Sequence, residues 1–145
     1  MMPREEIPVA DQIATGAVHH FRLTVSDVER ASRFYSTVLG FRKVMDLNPG
    51  VFLTNGVVGL GLGPSPDANR RNTGDRFDEN RVGLDHLSFG APSRHALEEA
   101  VRILDRQGVP HGEIKDLGPD FGLYILAFRD PDNVQLELSA PYAER

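Results

Sequence analysis

The chain has 145 residues, no cysteine and a formal net charge of −5 at pH 7, with 40% hydrophobic and 26% charged residues. That length suits one domain with a genuine core, and the lack of cysteine excludes disulfides and thiolate metal sites. No apolar run is long enough to span a membrane, no Lys/Arg cluster marks a nucleic-acid footprint, and a cytoplasmic location is expected.

Residues 1–16 carry Pro3, Pro8 and Gly16 with no clean period and no apolar signal-peptide core, and are expected to form an N-terminal arm. Val18 to Val25 reads as a strand, with Phe21, Leu23 and Val25 on one face and His20, Arg22 and Thr24 on the other. Ser26-Asp27-Val28-Glu29 has the spacing of a capping box. Behind it Val28, Ala31, Phe34, Tyr35, Val38 and Leu39 form a helical stripe that Gly40 is placed to close. Phe41 to Leu47 is the next strand, and Asn48-Pro49-Gly50 is a turn. Val51–Thr54 and Val57–Leu62 then pair as a hairpin about Asn55-Gly56.

Residues 64–81 are poor in apolar side chains and rich in breakers, so they read as a connection, either a lid over a site or a solvated linker. The order of the first half then repeats. Val82 to Gly90 is a strand, Ser93 caps a helix with the stripe Leu97, Ala100, Val101 and Leu104, and Gly108 ends it. His20 precedes Gly40 by 20 residues and His86 precedes Gly108 by 22, which marks an internal duplication. Strands around Glu113–Leu117, Gly122–Phe128 and Val134–Ser139 follow, separated by a Gly118-Pro119-Asp120 loop and an Asp130-Pro131-Asp132-Asn133 turn.

The expected architecture is α+β, two paired βαβββ modules (17–63 and 82–140, linker 64–81) within one domain over 17–140. In the last strand Gln135, Glu137 and Ser139 alternate with Val134, Leu136 and Leu138, so Glu137 shares the face of His20 and His86. Two imidazoles and one carboxylate on separate strands form a divalent-metal set with open coordination positions. Each alone has a plainer reading, the histidines as hydrogen-bonded polar residues and Glu137 as a solvent-facing one. His19 is the competing first ligand, but its parity places it with Phe21 on the helix-packed face.

These segments together, His20 to Asp27, Phe34-Tyr35 with Leu39-Gly40-Phe41, Asp85 to Phe89 and Phe128 to Glu137, make the sequence resemble the vicinal oxygen chelate superfamily, the glyoxalase/bleomycin resistance/dioxygenase group. The resemblance covers about residues 18–140. It implies a curved sheet cup, as in glyoxalase and dihydroxybiphenyl dioxygenase, often in a homodimer. It also implies His20, His86 and Glu137 as ligands of a divalent ion (Fe, Mn, Ni, Zn or Mg) that acts on a small-molecule substrate.

Departures narrow the subfamily. The glyoxalase I pattern carries a further acid on the last strand of the first module, where this chain reads Val57-Val58-Gly59-Leu60-Gly61-Leu62. Dioxygenases and fosfomycin-modifying enzymes carry a metal-facing tyrosine at the position of Ala127, while Tyr124 has the opposite parity. Arg22, Ser88 and Gln135 are the candidate substrate-binding residues, Arg22 through its fork of donors unless it pairs with Asp85 or Glu137. Leu123, Ile125 and Ala127 share that face, and His95 and His111 read as surface residues. The run Gly59, Gly61, Gly63 lacks a following helix and lysine, so it reads as backbone room beside a strand edge or ligand rather than a phosphate loop. The leading expectation is a metal-dependent lyase, isomerase or dioxygenase; the alternative is a non-catalytic, bleomycin-resistance-like binder of a small or antibiotic-like molecule.

Overall fold

The computed structural model describes residues 11–144, so the first ten residues of the expected arm lie outside it. Residues 11–19 hold no helix or strand and are exposed. The first module runs β1 (His20–Thr24), α1 (Val28–Leu39), β2 (Arg42–Asp46), β3 (Val51–Thr54) and β4 (Gly59–Gly63). The second runs β5 (Leu87–Gly90), α2 (Arg94–Arg106), β6 (Lys115–Asp116), a short α3 (Gly118–Phe121), β7 (Leu123–Arg129) and β8 (Gln135–Pro141). Each module closes one four-stranded mixed sheet, in the orders β1-β4-β3-β2 and β5-β8-β7-β6. The fold is α+β, two open mixed sheets with helices. Both sheets leave their first strand, β1 or β5, at an edge.

Four local details differ from expectation. Asp27, not Ser26, caps α1, its Oδ1 accepting from the Arg30 N–H at 3.0 Å. Ser26 is drawn away because its own N–H and hydroxyl both donate to Asp132. The hairpin loop spans 55–58 rather than two residues, because the Asn55 side-chain oxygen accepts from the Val57 and Val58 N–H groups, each at 2.9 Å. Gly118-Pro119-Asp120 winds into α3 with Pro119 in its first turn, where a missing N–H costs nothing. Finally, β5 starts at Leu87, so Val82 to His86 belong to the connection, and His86 sits one residue before its strand.

The helix-facing residues of both halves form one core. Ala31 and Tyr35 of α1, Leu97 and Leu104 of α2, Leu60 and Leu62 of β4, and Leu126 and Leu136 of β7 and β8 are buried together. Phe89 joins the modules, its ring centroid 6.4 Å from Phe21 and 6.0 Å from Phe41. Tyr124 packs beneath the helices as its parity requires, with Arg94 stacked 4.9 Å from its ring centroid.

Polar groups at the turn before β8 complete the joint. The buried Asp130 accepts from the Asp132 and Val134 N–H groups at 2.9 Å each and from the Tyr35 hydroxyl at 2.7 Å. Burial pushes the Asp130 carboxyl and the Tyr35 phenol up from their ordinary values. Removing the hydroxyl takes one of three donors from a buried carboxyl group. Tyr35→Phe is expected to lower unfolding free energy by about 1.5–3 kcal/mol in urea titration; an unchanged midpoint would show that the bond contributes nothing.

His111, expected at the surface, is only partly exposed and bridges Asp105 through Nε2 at 2.6 Å and the Gly112 carbonyl through Nδ1 at 2.7 Å. Two acceptors require both ring nitrogens to donate, so the Gly112 and Asp105 bonds raise its pKa. A histidine raised on folding stabilises fully below its unfolded value near 6.5, and that contribution fades as pH rises through the higher folded value. The stability difference between wild type and His111→Gln should therefore shrink from pH 6 toward pH 9, read by thermal melts across that window.

Candidate functional site

The strand that carries Glu137 is set by its apolar alternation. Leu136 and Leu138 point into the helix-packed core, which leaves Glu137 on the opposite face, beside Ser88 of β5 and Ala127 of β7. His86 is placed against it by the end of the connection. The His86 Nε2 lies 3.3 Å from Glu137 Oε2, and its Nδ1 lies 2.8 Å from Asp85 Oδ1. Asp85 is held in turn by Gln135, whose Nε2 donates to the Asp85 carboxylate at 2.9 Å and carbonyl at 3.1 Å. Arg129 reaches the Gln135 amide oxygen at 3.4 Å and anchors to Glu79 at 2.6 Å.

This chain of contacts has a chemical consequence. With Nδ1–H donating to Asp85, the Nε2 lone pair faces a carboxylate oxygen, and two acceptors at that distance call for a proton or a cation between them. A carboxylate–histidine pair that fixes ring orientation is the usual outer support of a metal-ligating imidazole. His86 and Glu137 thus fit as two donors to a divalent ion.

The third expected ligand lies elsewhere. His20 sits over Gly59 with its ring 6.0 Å from that of Phe52 and its Nδ1 2.8 Å from Nδ1 of His19. His19 is exposed rather than packed under the helices, because β1 begins only at His20. Among the described residues no group of three or more His, Asp or Glu side chains is arranged to hold a metal ion. Within one chain the donors form a pair, not a triad.

The glycines of β4 serve β1. A Cβ at Gly59 would strike the Phe52 ring and crowd His20, and one at Gly63 would meet the Arg22 guanidinium. Arg22 lies across that bare backbone, donating to Thr24 Oγ1 and to the Pro64 carbonyl at 3.0 Å each, and pairs with neither Asp85 nor Glu137. Ser88 meets Ser139, Oγ to Oγ, at 2.5 Å. A cavity of about 680 Å³ opens between Arg22, the connection and Leu84, and a second of about 410 Å³ lies beside His19 and Phe52.

Sequence reasoning missed Arg129 and Glu79 as parts of this constellation. Arg129 shares the parity of Ala127, so the alternation of β7 carried a signal for it. Glu79 lies in a segment without period and carried none.

Two four-stranded βαβββ units with a histidine–carboxylate pair on the second define a glyoxalase-fold protein. The chain belongs to the Glyoxalase/Bleomycin resistance protein/Dioxygenase superfamily, whose model matches residues 17–138. It is 30% identical to YwkD of Bacillus subtilis (strain 168) over 84% of this chain and 94% of that one. The glyoxylase/bleomycin resistance protein/dioxygenase domain from Frankia sp. EAN1pec is 29% identical, with a TM-score of 0.72 over 89% of this chain and all of that one. Lactoylglutathione lyase from Agrobacterium tumefaciens shares the fold, at 23% identity and TM-score 0.67 over 88% of this chain and 95% of that one. The superfamily includes lyases, dioxygenases and fosfomycin resistance proteins, commonly uses divalent metals, binds small molecules and often forms dimers. No helix among the described residues is long and apolar enough to cross a membrane.

The Glu79–Arg129 pair ties the connection to the second module, at 25% and 31% side-chain exposure. Solvent screens so accessible a pair, so the tie it makes is modest. Arg129→Met should therefore raise the rate of tryptic cleavage at Arg70-Arg71 in native buffer. An unchanged cleavage rate would mean that the connection is held by other contacts.

Proposed function

We propose that this protein is a divalent-metal-dependent enzyme of the vicinal oxygen chelate type, a glyoxalase-like lyase or isomerase or a dioxygenase, acting on a small oxygenated metabolite in the cytoplasm. The observation that carries the reading is the His86 Nε2–Glu137 Oε2 approach at 3.3 Å, with the far side of the ring held by Asp85. His86 and Glu137 would hold the ion, and His20 is the third ligand. A bound divalent ion supplies Lewis-acid polarisation of a substrate oxygen.

The remaining roles fall to this chain's own side chains. Asp85 fixes the His86 tautomer by accepting the Nδ1 proton, and Gln135 and Arg129 fix Asp85. Gln135 is committed to that support, so it acts on a substrate through Asp85, while Arg22 and the Ser88–Ser139 hydroxyl pair are the groups left to meet it. Ala127, the cross-strand partner of Glu137, offers it no polar group.

The single chain does not bring His20 to the other two donors, and both β1 and β5 are sheet edges. A homodimer in which the second copy supplies His20 accounts for both facts. An alternative reading, a non-catalytic binder of a small or antibiotic-like molecule, has one observation in its favour: the 680 Å³ cavity is lined by none of the three candidate ligands.

Elemental analysis separates these readings. Purified protein titrated with Fe, Mn, Ni, Zn and Mg is expected to take up one ion per site, His86→Ala and Glu137→Gln should abolish tight uptake, and Asp85→Asn should weaken it about 10–100-fold. Mixing unfolded and refolded His20→Ala with His86→Ala chains should restore metal uptake to part of the population, because a mixed dimer carries one intact site. Wild-type protein that takes up none of these ions sinks the enzyme reading and leaves the binder.

A further inference from the structure

The connection between the modules has a charge pattern that the metal reading leaves unused. Its cavity is lined by five arginines: Arg22 from β1, and Arg70, Arg71, Arg76 and Arg81 from the connection. Only three carboxylates, Asp75, Asp78 and Asp132, line the same space, an excess of two positive charges in a chain whose net charge is −5.

Those carboxylates do little to neutralise the arginines. Asp132 is engaged by the Ser26 N–H and hydroxyl, and Asp78 by the backbone and side chain of Asn80. Asp75 meets Arg81 only at 4.0 Å. Arg22 and Arg71 bond neutral oxygens alone, Arg71 through Nε to the Ser65 carbonyl at 2.8 Å. Among the described residues the Arg70 and Arg76 guanidinium groups have no ion-pair or hydrogen-bond partner. Uncompensated like charges around a concave space attract an anion, and guanidinium forks are well shaped to bind an oxyanion.

The segment that presents them is tied down rather than loose. Its start is held by Arg22 at Pro64, and its later part by the Phe77 N–H on the Asp132 carbonyl at 2.9 Å and the Asn133 side chain on the Phe77 carbonyl at 3.1 Å. Glu79 adds the ion pair to Arg129. Val82 and Leu84, both with exposed side chains, line the same space, so it offers hydrocarbon as well as cations.

We infer that this cavity is a binding site for a small organic oxyanion, a carboxylate or phosphoryl group on an apolar body, held by Arg22 and the arginines of the connection. The charged end lies among the guanidinium groups and the body lies against Val82 and Leu84. The site extends the substrate role proposed for Arg22 and stands whether or not a metal binds at His86.

Calorimetric titration with phenylacetate, phenylphosphonate and the neutral phenylacetamide tests it. At least one of the two acids should bind, about tenfold or more tighter than the amide, and more weakly as salt is raised. Which acid binds better identifies the anionic group. The double variant Arg70→Gln/Arg71→Gln and the single variant Arg76→Gln should each lower acid affinity several-fold with unchanged thermal midpoints, since these side chains hold no core contact. Equal binding of the amide, or acid binding indifferent to the arginine variants, overturns the proposal. The same titrations on His86→Ala and on chelator-treated protein keep the two ideas apart. Retained acid binding supports this site even where metal uptake fails, and acid binding that vanishes with the metal overturns it and leaves the metal reading intact.

Discussion

The turn Asp130-Pro131-Asp132-Asn133 is the contact on which the arrangement of this molecule depends. Its first carboxyl group is buried and accepts from Tyr35 of α1 while organising its own turn through the Asp132 and Val134 N–H groups. Its second holds the N–H and hydroxyl of Ser26, immediately after β1. Its backbone and Asn133 hold Phe77 of the connection. One four-residue turn of the second module therefore grips the first module and the segment between them. Buried carboxyl groups are costly unless fully bonded, so the arrangement is favourable only when every partner arrives, which makes the joint specific.

The turn also sets where the chemistry sits. It launches β8, whose alternation sends Leu136 and Leu138 inward and Glu137 outward. By pinning Phe77 it keeps Glu79 within reach of Arg129, and through Gln135 that support extends to Asp85 and His86. The histidine–carboxylate pair and the arginine-lined cavity are thus two outcomes of one anchoring event. The pair follows from the strand, and the cavity from the path of the connection over Arg22.

Much of this was legible along the chain where a local rule had no competitor. Gly40 adopts the left-handed conformation that ends α1, Ser93 caps α2, and the stripes of both helices lie in the core. Local rules failed where a distant partner intervened. Ser26 had the better-spaced capping partner in Glu29, yet Asp132 of the other module claimed it and Asp27 became the cap. Parity along a strand from Val18 puts His19 under the helices, but β1 begins at His20 and His19 is exposed. The glycine run of β4 was readable as backbone room; that the room is filled by His20, Phe52 and Arg22 was not.

By itself the sequence determined the duplicated βαβββ order, the faces of the strands and the residue types offered on the open side, because periodicity and caps act over a few residues. Tertiary structure alone decided that His20 stays with His19, apart from the His86–Glu137 pair, and that four arginines of an aperiodic segment join Arg22 around one space. Such meetings depend on how the two sheets and the chain between them are docked, and no spacing within either module encodes that distance.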